Sequence, residues 1–260
     1  MTRTKTYFLS DIHLGASYIS DTHAHQRRVV DFLRSIADDA KAVYLLGDIL
    51  DYWYEYRTVV PRGYVRFFGQ LARMADDGIR IIWFTGNHDI WLRDYLRDEI
   101  GIEVVDTPGA GIFRSIDGEE FFLGHGDFFG RQPAGYRFIR RLFRSRFCQA
   151  LYSAIHPRWT IPFAHGWSSH SRKQGGGYQL FEEPSESEQR TFSGSPRTRV
   201  TEAAEALAKE RPDLRYIIIG HHHVPADIPV GKNCRLVILG NWINRSDYAV
   251  YDAGTLTLKS

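Results

Sequence analysis

The chain has 260 residues, a formal net charge of +2, 43% apolar and 25% charged residues, an ordinary composition for one large globular domain. The near-neutral balance carries no whole-chain signature of a nucleic-acid binder, and Cys148 and Cys234 are too few for a disulfide framework or a thiolate metal site. The apolar run before Asp11 is too short for a signal-peptide core and no stretch of 18 apolar residues occurs, so the expectation is a soluble or membrane-peripheral protein of the cytoplasm.

Taken in chain order, short apolar runs alternate with helix-like stretches. TYFLS stops at Asp11, HAHQRRVVDFLRSIADD follows with helical character, and AVYLLG stops at Asp48. In PRGYVRFFGQLARMADDG, residues Val65, Phe68, Leu71, Ala72 and Ala75 fall at helical spacing. IRIIWFTG then ends before Asn87 and EEFFLG before His125. RYIIIG ends before His221 and RLVILG before Asn241. Short β-rich runs bounded by glycine read as buried strands, so the first half is β-α-β-α-β and the fold class is α/β.

Two segments break this rhythm. Arg131 to Lys173 carries nine Arg or Lys and no Asp or Glu. Within it Tyr136, Ile139, Phe143, Phe147 and Leu151 recur every three to four residues, the pattern of one amphipathic helix. EEPSESEQRTFSGSPRTRV reads as a polar loop, followed by a helix at TEAAEALAKERP. The tail, SDYAVYDAGTLTLKS, reads as one or two edge strands around a turn at Asp252–Gly254.

The residues at the strand ends are of metal-ligand type. Asp11 and His13 stand two apart, and in extended backbone such residues point the same way. Asp48 adds a carboxylate whose two oxygens can bridge two ions, Asn87 offers a neutral carbonyl oxygen, and His125, His221 and His223 supply imidazoles. Seven N/O ligands exceed one tetrahedral zinc and suit a pair of Mn, Fe, Zn or Co ions. Paired ions activate water and clamp a transferring phosphoryl group. Gly47, Gly86, Gly124 and Gly220 precede these clusters and permit close approach of backbone. Asp51, Asp89 and Asp127 are either partners that orient the imidazoles or loop caps. His88 either protonates a leaving group, binds phosphate as imidazolium, or is a turn residue.

The ordered blocks DIH, GDILD, GNHD, GHGD and GHHH resemble the calcineurin-like metallophosphoesterase family. The resemblance implies a β-sandwich flanked by helices around two metals, often manganese. It places one ion on Asp11, His13 and His223 and the other on Asn87, His125 and His221, with Asp48 bridging and water attacking phosphorus in line. The stretch HGDFFGRQPAGYRFIRRLFRSRFCQALYSAIHPRWTIPFAHGWSSHSR is similar to the helical cap insertion of a narrower family, the UDP-2,3-diacylglucosamine pyrophosphohydrolases of lipid A synthesis. That likeness implies cleavage at the α-phosphate to give UMP and 2,3-diacylglucosamine 1-phosphate (lipid X), by a protein peripheral to the inner face of the cell inner membrane. It implies one domain over 1–260 with a cap at about 131–173.

In the cap, Phe143 and Phe147 either line an acyl groove or pack the helix, while Arg137, Arg140 and Arg141 meet the diphosphate or anionic headgroups. The run SHSRKQGGGY keeps the Ser and Lys types, but not the spacing, with which that family grips the nucleotide sugar, which makes Ser171, Arg172 and Lys173 candidates for that role. Well-known members have Arg where this chain has His88 and Asp where it has Asn241. The alternative is a related metallophosphoesterase acting on another nucleotide, sugar phosphate or phospholipid; nucleic acid is not an expected partner.

Overall fold

The computed structural model describes residues 2–56, 58–106, 109–130, 134–163, 166 and 196–260. The apolar runs form strands because both of their faces are buried. In β1 (Lys5–Leu9), Tyr7 and Leu9 face one way and Phe8 the other, and each side belongs to a separate core cluster. The strands β2 (Ala40–Leu45), β3 (Arg80–Phe84) and β4 (Glu103–Val105) continue parallel from β1. β10 (Tyr248–Asp252) and β11 (Thr255–Lys259) complete a sheet of order β11-β10-β1-β2-β3-β4.

A second sheet has order β5-β6-β7-β9-β8, formed by β5 (Ile112–Ile116), β6 (Glu119–Gly124), β7 (Leu214–Ile219), β8 (Ala226–Val230) and β9 (Cys234–Ile238). The central strands β6, β7 and β9 are parallel, and β5 and β8 are antiparallel edges.

The two sheets pack face to face. Phe8, Tyr44, Ile82 and Phe84 of the first meet Phe121, Leu123, Tyr216 and Ile218 of the second. Outside the first sheet lie α1 (Thr22–Ile36), α2 (Val65–Asp76) and α3 (Tyr95–Ile100), packed on Leu9, Val43 and Trp83. Outside the second, α6 (Pro196–Glu210) covers Ile217 and Ile219 with Val200 and Ala204. The result is an α/β sandwich flanked by helices. Between β6 and β7 stand the cap helices α4 (Ala134–Arg144) and α5 (Arg146–Ser153), followed by helical residues at 157–163.

Four expectations change in detail. Val65 is 82% exposed at the start of α2, whose buried side is Phe67, Phe68, Leu71 and Met74. The single amphipathic helix of the cap is two, because Ser145 is extended and its hydroxyl accepts the backbone N–H of Cys148, starting α5 afresh. The helix α6 begins at Pro196, five residues before TEAA, with proline at its first position where its missing N–H costs nothing. The tail's one or two edge strands resolve to one, β11, with β10 an interior strand between β1 and β11. Ser171, Arg172 and Lys173 lie outside the described residues.

Phe121 joins the two sheets, with its ring 4.9 Å from Tyr216, 5.1 Å from Tyr251 and 6.0 Å from Phe8. Phe121→Ala is expected to lower stability by about 3–5 kcal/mol, the range for a large aromatic lost from a close-packed core. Urea unfolding of the two proteins measures the difference.

Candidate metal centre

Parallel strands from both sheets end at one edge, and their loops are laced together there. Asp11 N donates to Gly47 O, His13 N to Asp48 O, Gly220 N to His125 O and Trp242 N to Asp11 O. The candidate ligands sit in these loops, beyond the strand ends, in a conformation the sequence does not announce. Asp11, His13, Asp48, His221 and His223 have φ of 54°, 52°, 53°, 68° and 57°. Left-handed backbone is rare away from glycine and costs on the order of 1–3 kcal/mol per residue, and it collects at functional sites. Asp11 and His13 therefore converge through a left-handed loop, and the extended i, i+2 geometry expected of them does not hold.

The side chains gather into two groups. Asp11, His13 and His223 form one and Asp48, His125 and His221 the other, with candidate ligand atoms in each within 4.8 Å of one another. His13 Nε2 lies 3.3 Å from His223 Nε2 and 3.9 Å from Asp11 Oδ1. Asp48 Oδ2 is 3.3 Å from His125 Nε2 and 3.8 Å from His13 Nε2, so this carboxylate stands between the groups. Asn87 Oδ1 is 3.0 Å from His125 Nε2. The expected ligands are thus brought together, all seven of them.

The donor set fits divalent cations on a test internal to the structure. Asp11 Oδ2 accepts from Ser10 Oγ and His221 N, while Asp11 Oδ1 is buried without a hydrogen-bond partner among the described residues, 3.2 Å from His223 Nε2. A buried carboxylate oxygen left in that state is costly unless a cation meets it. The histidine tautomers agree. His125 Nδ1 donates to Leu46 O at 2.9 Å and His13 Nδ1 faces Asp51 at 3.2 Å, so both present Nε2 to the cluster.

The three further aspartates divide. Asp51 contacts His13 and also lies 3.6 Å from His88 Nδ1. Asp89 is a loop organiser: it accepts the backbone N–H groups of Gly86, Asp48 and Ile49 and the indole N–H of Trp83. Asp127 pairs with Arg140 at 3.1 Å. His88 donates its backbone N–H to Asp48 Oδ1, and its Nδ1 lies 3.0 Å from Asp51 O, which leaves Nε2 facing Asp48 Oδ2 at 4.0 Å. One contributor escaped the sequence reading: Ser10 bonds Asp11. Asn241, read only as a departure from the family's Asp, donates through Nδ2 to His223 O at 2.9 Å, a bond that a carboxylate could not make. Gly86 and Gly220 are required by those carboxylates: a Cβ there would fall 2.2 Å from Asp48 Oδ1 and 2.5 Å from Asp11 Oδ2.

The cap residues have different fates. Arg140 is buried, its guanidinium against Asp127 and 3.9 Å from the centre of the Phe128 ring. Phe143 packs edge-on against Trp91, which also donates its indole N–H to Phe143 O. Arg137, Arg141 and Phe147 are exposed.

Charge in the cluster is strongly coupled. Burial alone would push the Asp48 and Asp11 carboxyls up, yet neighbouring imidazoles, His125 for Asp48 and His223 for Asp11, hold Asp48 far below the ordinary range and Asp11 at about 2. Burial likewise pulls the imidazoles down, and His13 and His221 stay lowered. In His125 and His223 the Asp48 and Asp11 carboxylates outweigh burial and raise them.

The family model for calcineurin-like phosphoesterases matches residues 4–225, and the chain belongs to that family. It is a metal-dependent hydrolase of the phosphoesterase class. Within the family, it is 39% identical over 259 residues to the UDP-2,3-diacylglucosamine hydrolase of Porphyromonas gingivalis, covering 99% of this chain and 98% of that protein. It is 26% identical over 262 residues to the protein of that name from a Shewanella species (strain MR-7), covering 98% and 97%. A third, from Ralstonia nicotianae, is 27% identical over 225 residues, covering 84% and 77%.

Protons raised onto His125 and His223 must leave before a cation binds, so metal affinity is expected to strengthen as pH rises. Calorimetric titration of the metal-free protein with Mn2+ in buffers of different ionisation enthalpy should show proton release. Asp51→Asn is expected to weaken metal binding about 10–100-fold by loosening His13, read from the same titration.

Proposed function

We propose that this chain hydrolyses UDP-2,3-diacylglucosamine at its α-phosphate, releasing UMP and 2,3-diacylglucosamine 1-phosphate. The observation that carries this reading is the standing of an acid-free, aromatic-rich cap on the loops that carry the metal cluster. Arg140 of α4 pairs with Asp127, two residues beyond the candidate ligand His125. The near full-length likeness to the Porphyromonas gingivalis hydrolase supports the same substrate.

In this reading Asp11, His13 and His223 would hold one ion and Asn87, His125 and His221 the other, with Asp48 contributing to both. The mixed nitrogen and oxygen donors suit Mn2+. Bound there, the ions would supply an activated water and neutralise charge on the phosphoryl oxygens. The chain does the rest. Asp51 fixes His13 and His88 in orientation; with Nδ1–H of His88 on Asp51 O, its Nε2 donates to a phosphoryl or leaving oxygen in the imidazolium form. The water oxygen bonds to the α-phosphorus and the bridging oxygen departs with the sugar phosphate.

Recognition falls to the cap, an insertion at about 131–173 in one domain spanning 1–260. Arg137 and Arg141 meet the diphosphate or anionic headgroups, while Arg140 and Phe143 hold the cap in place. Phe147 lies on a surface with Leu151, Trp159 and Phe163, all more than half exposed, that meets the acyl chains and the bilayer interface. Ser171, Arg172 and Lys173 grip the nucleotide sugar. No helix among the described residues is long and apolar enough to cross a membrane. Peripheral attachment to the anionic inner face of the cell inner membrane, from the cytoplasm, is the location this surface supports, with no role for nucleic acid.

The test is hydrolysis of the diacylated UDP-sugar by Mn2+-loaded protein in 18O-labelled water. UMP should form and carry the label, and His125→Ala or prior chelation should bring turnover to background. Intact, metal-loaded protein that releases no UMP overturns the proposal.

A further inference from the structure

The segment Asp51–Tyr56, DYWYEY, is a strap with two faces. Its alternation follows the period of extended backbone, and Tyr54 forms an isolated parallel bridge with Trp91. The odd-numbered residues hold the body. Asp51 reaches His13, Trp53 packs edge-on against Tyr64 and Phe68, and Glu55 accepts the N–H groups of Arg93, Asp94 and Tyr95 at the start of α3. The even-numbered residues are tyrosines, and every one of their hydroxyls meets the cap. Tyr52 Oη lies 2.9 Å from Tyr152 Oη, Tyr54 Oη donates to Gln149 O at 2.7 Å, and Tyr56 Oη lies 2.5 Å from Thr160 Oγ1. Tyr152 Oη donates onward to Thr160 O at 3.0 Å, which makes Tyr52 the donor to Tyr152.

No residue of α5 is buried. Among the described residues, α5 meets the body through the Tyr52 and Tyr54 hydroxyls, the ring contacts of Tyr152 with Tyr54 and Trp91, and the bond from Arg93 to Gln149, while Gln149 Nε2 also donates to Phe143 O of α4. A helix without a buried apolar face takes its position from such directional contacts.

We propose that the Asp51–Tyr56 strap is a positioning element that sets the cap at a fixed height over the metal cluster. Its tyrosine hydroxyls thereby govern acceptance of the long acylated substrate without taking part in bond cleavage. The second half of this inference rests on the substrate proposed above; the first half does not. Asp51 and Tyr52 are adjacent, so the orientation of a metal-facing imidazole and the seat of the cap are fixed by one short piece of chain.

The test uses the full chain, Mn2+-loaded, with all three tyrosines changed (Tyr52→Phe, Tyr54→Phe, Tyr56→Phe), which keeps the rings and removes the hydroxyls. Three readouts are compared with the unaltered protein: amide hydrogen exchange over 146–163, KM and kcat for UDP-2,3-diacylglucosamine, and hydrolysis of bis(p-nitrophenyl) phosphate. Exchange in the cap should quicken and KM for the acylated substrate rise, each about tenfold, near the worth of one net hydrogen bond. Hydrolysis of the small diester should stay within about twofold, since the metals are undisturbed. Unchanged exchange in the cap overturns the proposal, and so does a parallel loss on both substrates, which would make the strap a support of the metals. If the unaltered protein ignores the acylated substrate, the functional proposal falls while the exchange result still decides for or against the strap. Should the triple variant fail to fold, Tyr56→Phe alone, at a partly exposed site, is read by the same measurements.

Discussion

Six ionisable side chains, two carboxylates and four imidazoles, are held at the seam between two sheets, and the rest of the structure depends on meeting their demands. Placing charge away from water is unfavourable unless every lone pair and proton finds a partner. Asp48 solves this by standing between His13 and His125, with the backbone N–H of His88 on its other oxygen. Asp11 solves half of it, with Ser10 and His221 N on Oδ2, and leaves Oδ1 to a cation. Without metal, Asp11 Oδ1 faces the His223 imidazole at 3.2 Å; a divalent cation would replace the proton between them and meet both the carboxylate oxygen and the opposed imidazole nitrogens.

The fold can be understood as what is needed to hold that cluster still. Two sheets with interlocked aromatic faces bring parallel strand ends from both of them to one edge. Loops there lend one another main-chain bonds, and these outweigh the left-handed strain at Asp11, His13, Asp48, His221 and His223. Asp89 gathers N–H groups from two different loops onto one carboxylate and thereby locks the Asp48 and Asn87 loops together. Burial works to raise that carboxyl, to about 6, with the nearby Asp48 charge adding to the rise and the N–H donors opposing it. Cations on Asp48 would remove most of that repulsion, so metal loading and loop order reinforce one another.

The strand ends were legible because buried parallel strands have to be apolar on both faces and because ligands have to follow them. TYFLS, AVYLLG and RYIIIG advertise both facts. Edge strands advertise neither: β4, β5 and β8 are short and half exposed, and none of the three was read from the sequence. The ligand set was legible by residue type, whereas its backbone was not, since nothing about aspartate or histidine declares φ near +55° when tertiary bonds impose it. Arg140 and Phe143 show the limit most clearly. A basic, aromatic helix reads as a ligand surface along its whole length, and only packing distinguishes the arginine spent on Asp127 from Arg137 and Arg141 beside it.

That division within the cap has a consequence for how specificity and chemistry are kept apart. The residues of the cap that touch the body are polar or edge-on aromatic: Arg140 on Asp127, Phe143 on Trp91, Tyr152 on Tyr52 and Tyr54. Those that face away include Phe138, Phe147, Trp159 and Phe163, each at least 65% exposed. Aromatic groups therefore stand outward beside Arg137 and Arg141, while much of the seat on the body is polar. A hydrogen-bonded seat defines orientation better than an apolar one, because its energy falls steeply with angle while apolar contact is non-directional. Outward aromatic side chains are unfavourable in water and become favourable against an apolar partner. The cap thus takes its precision from the metal-bearing body and keeps its hydrophobicity on the side turned away from it.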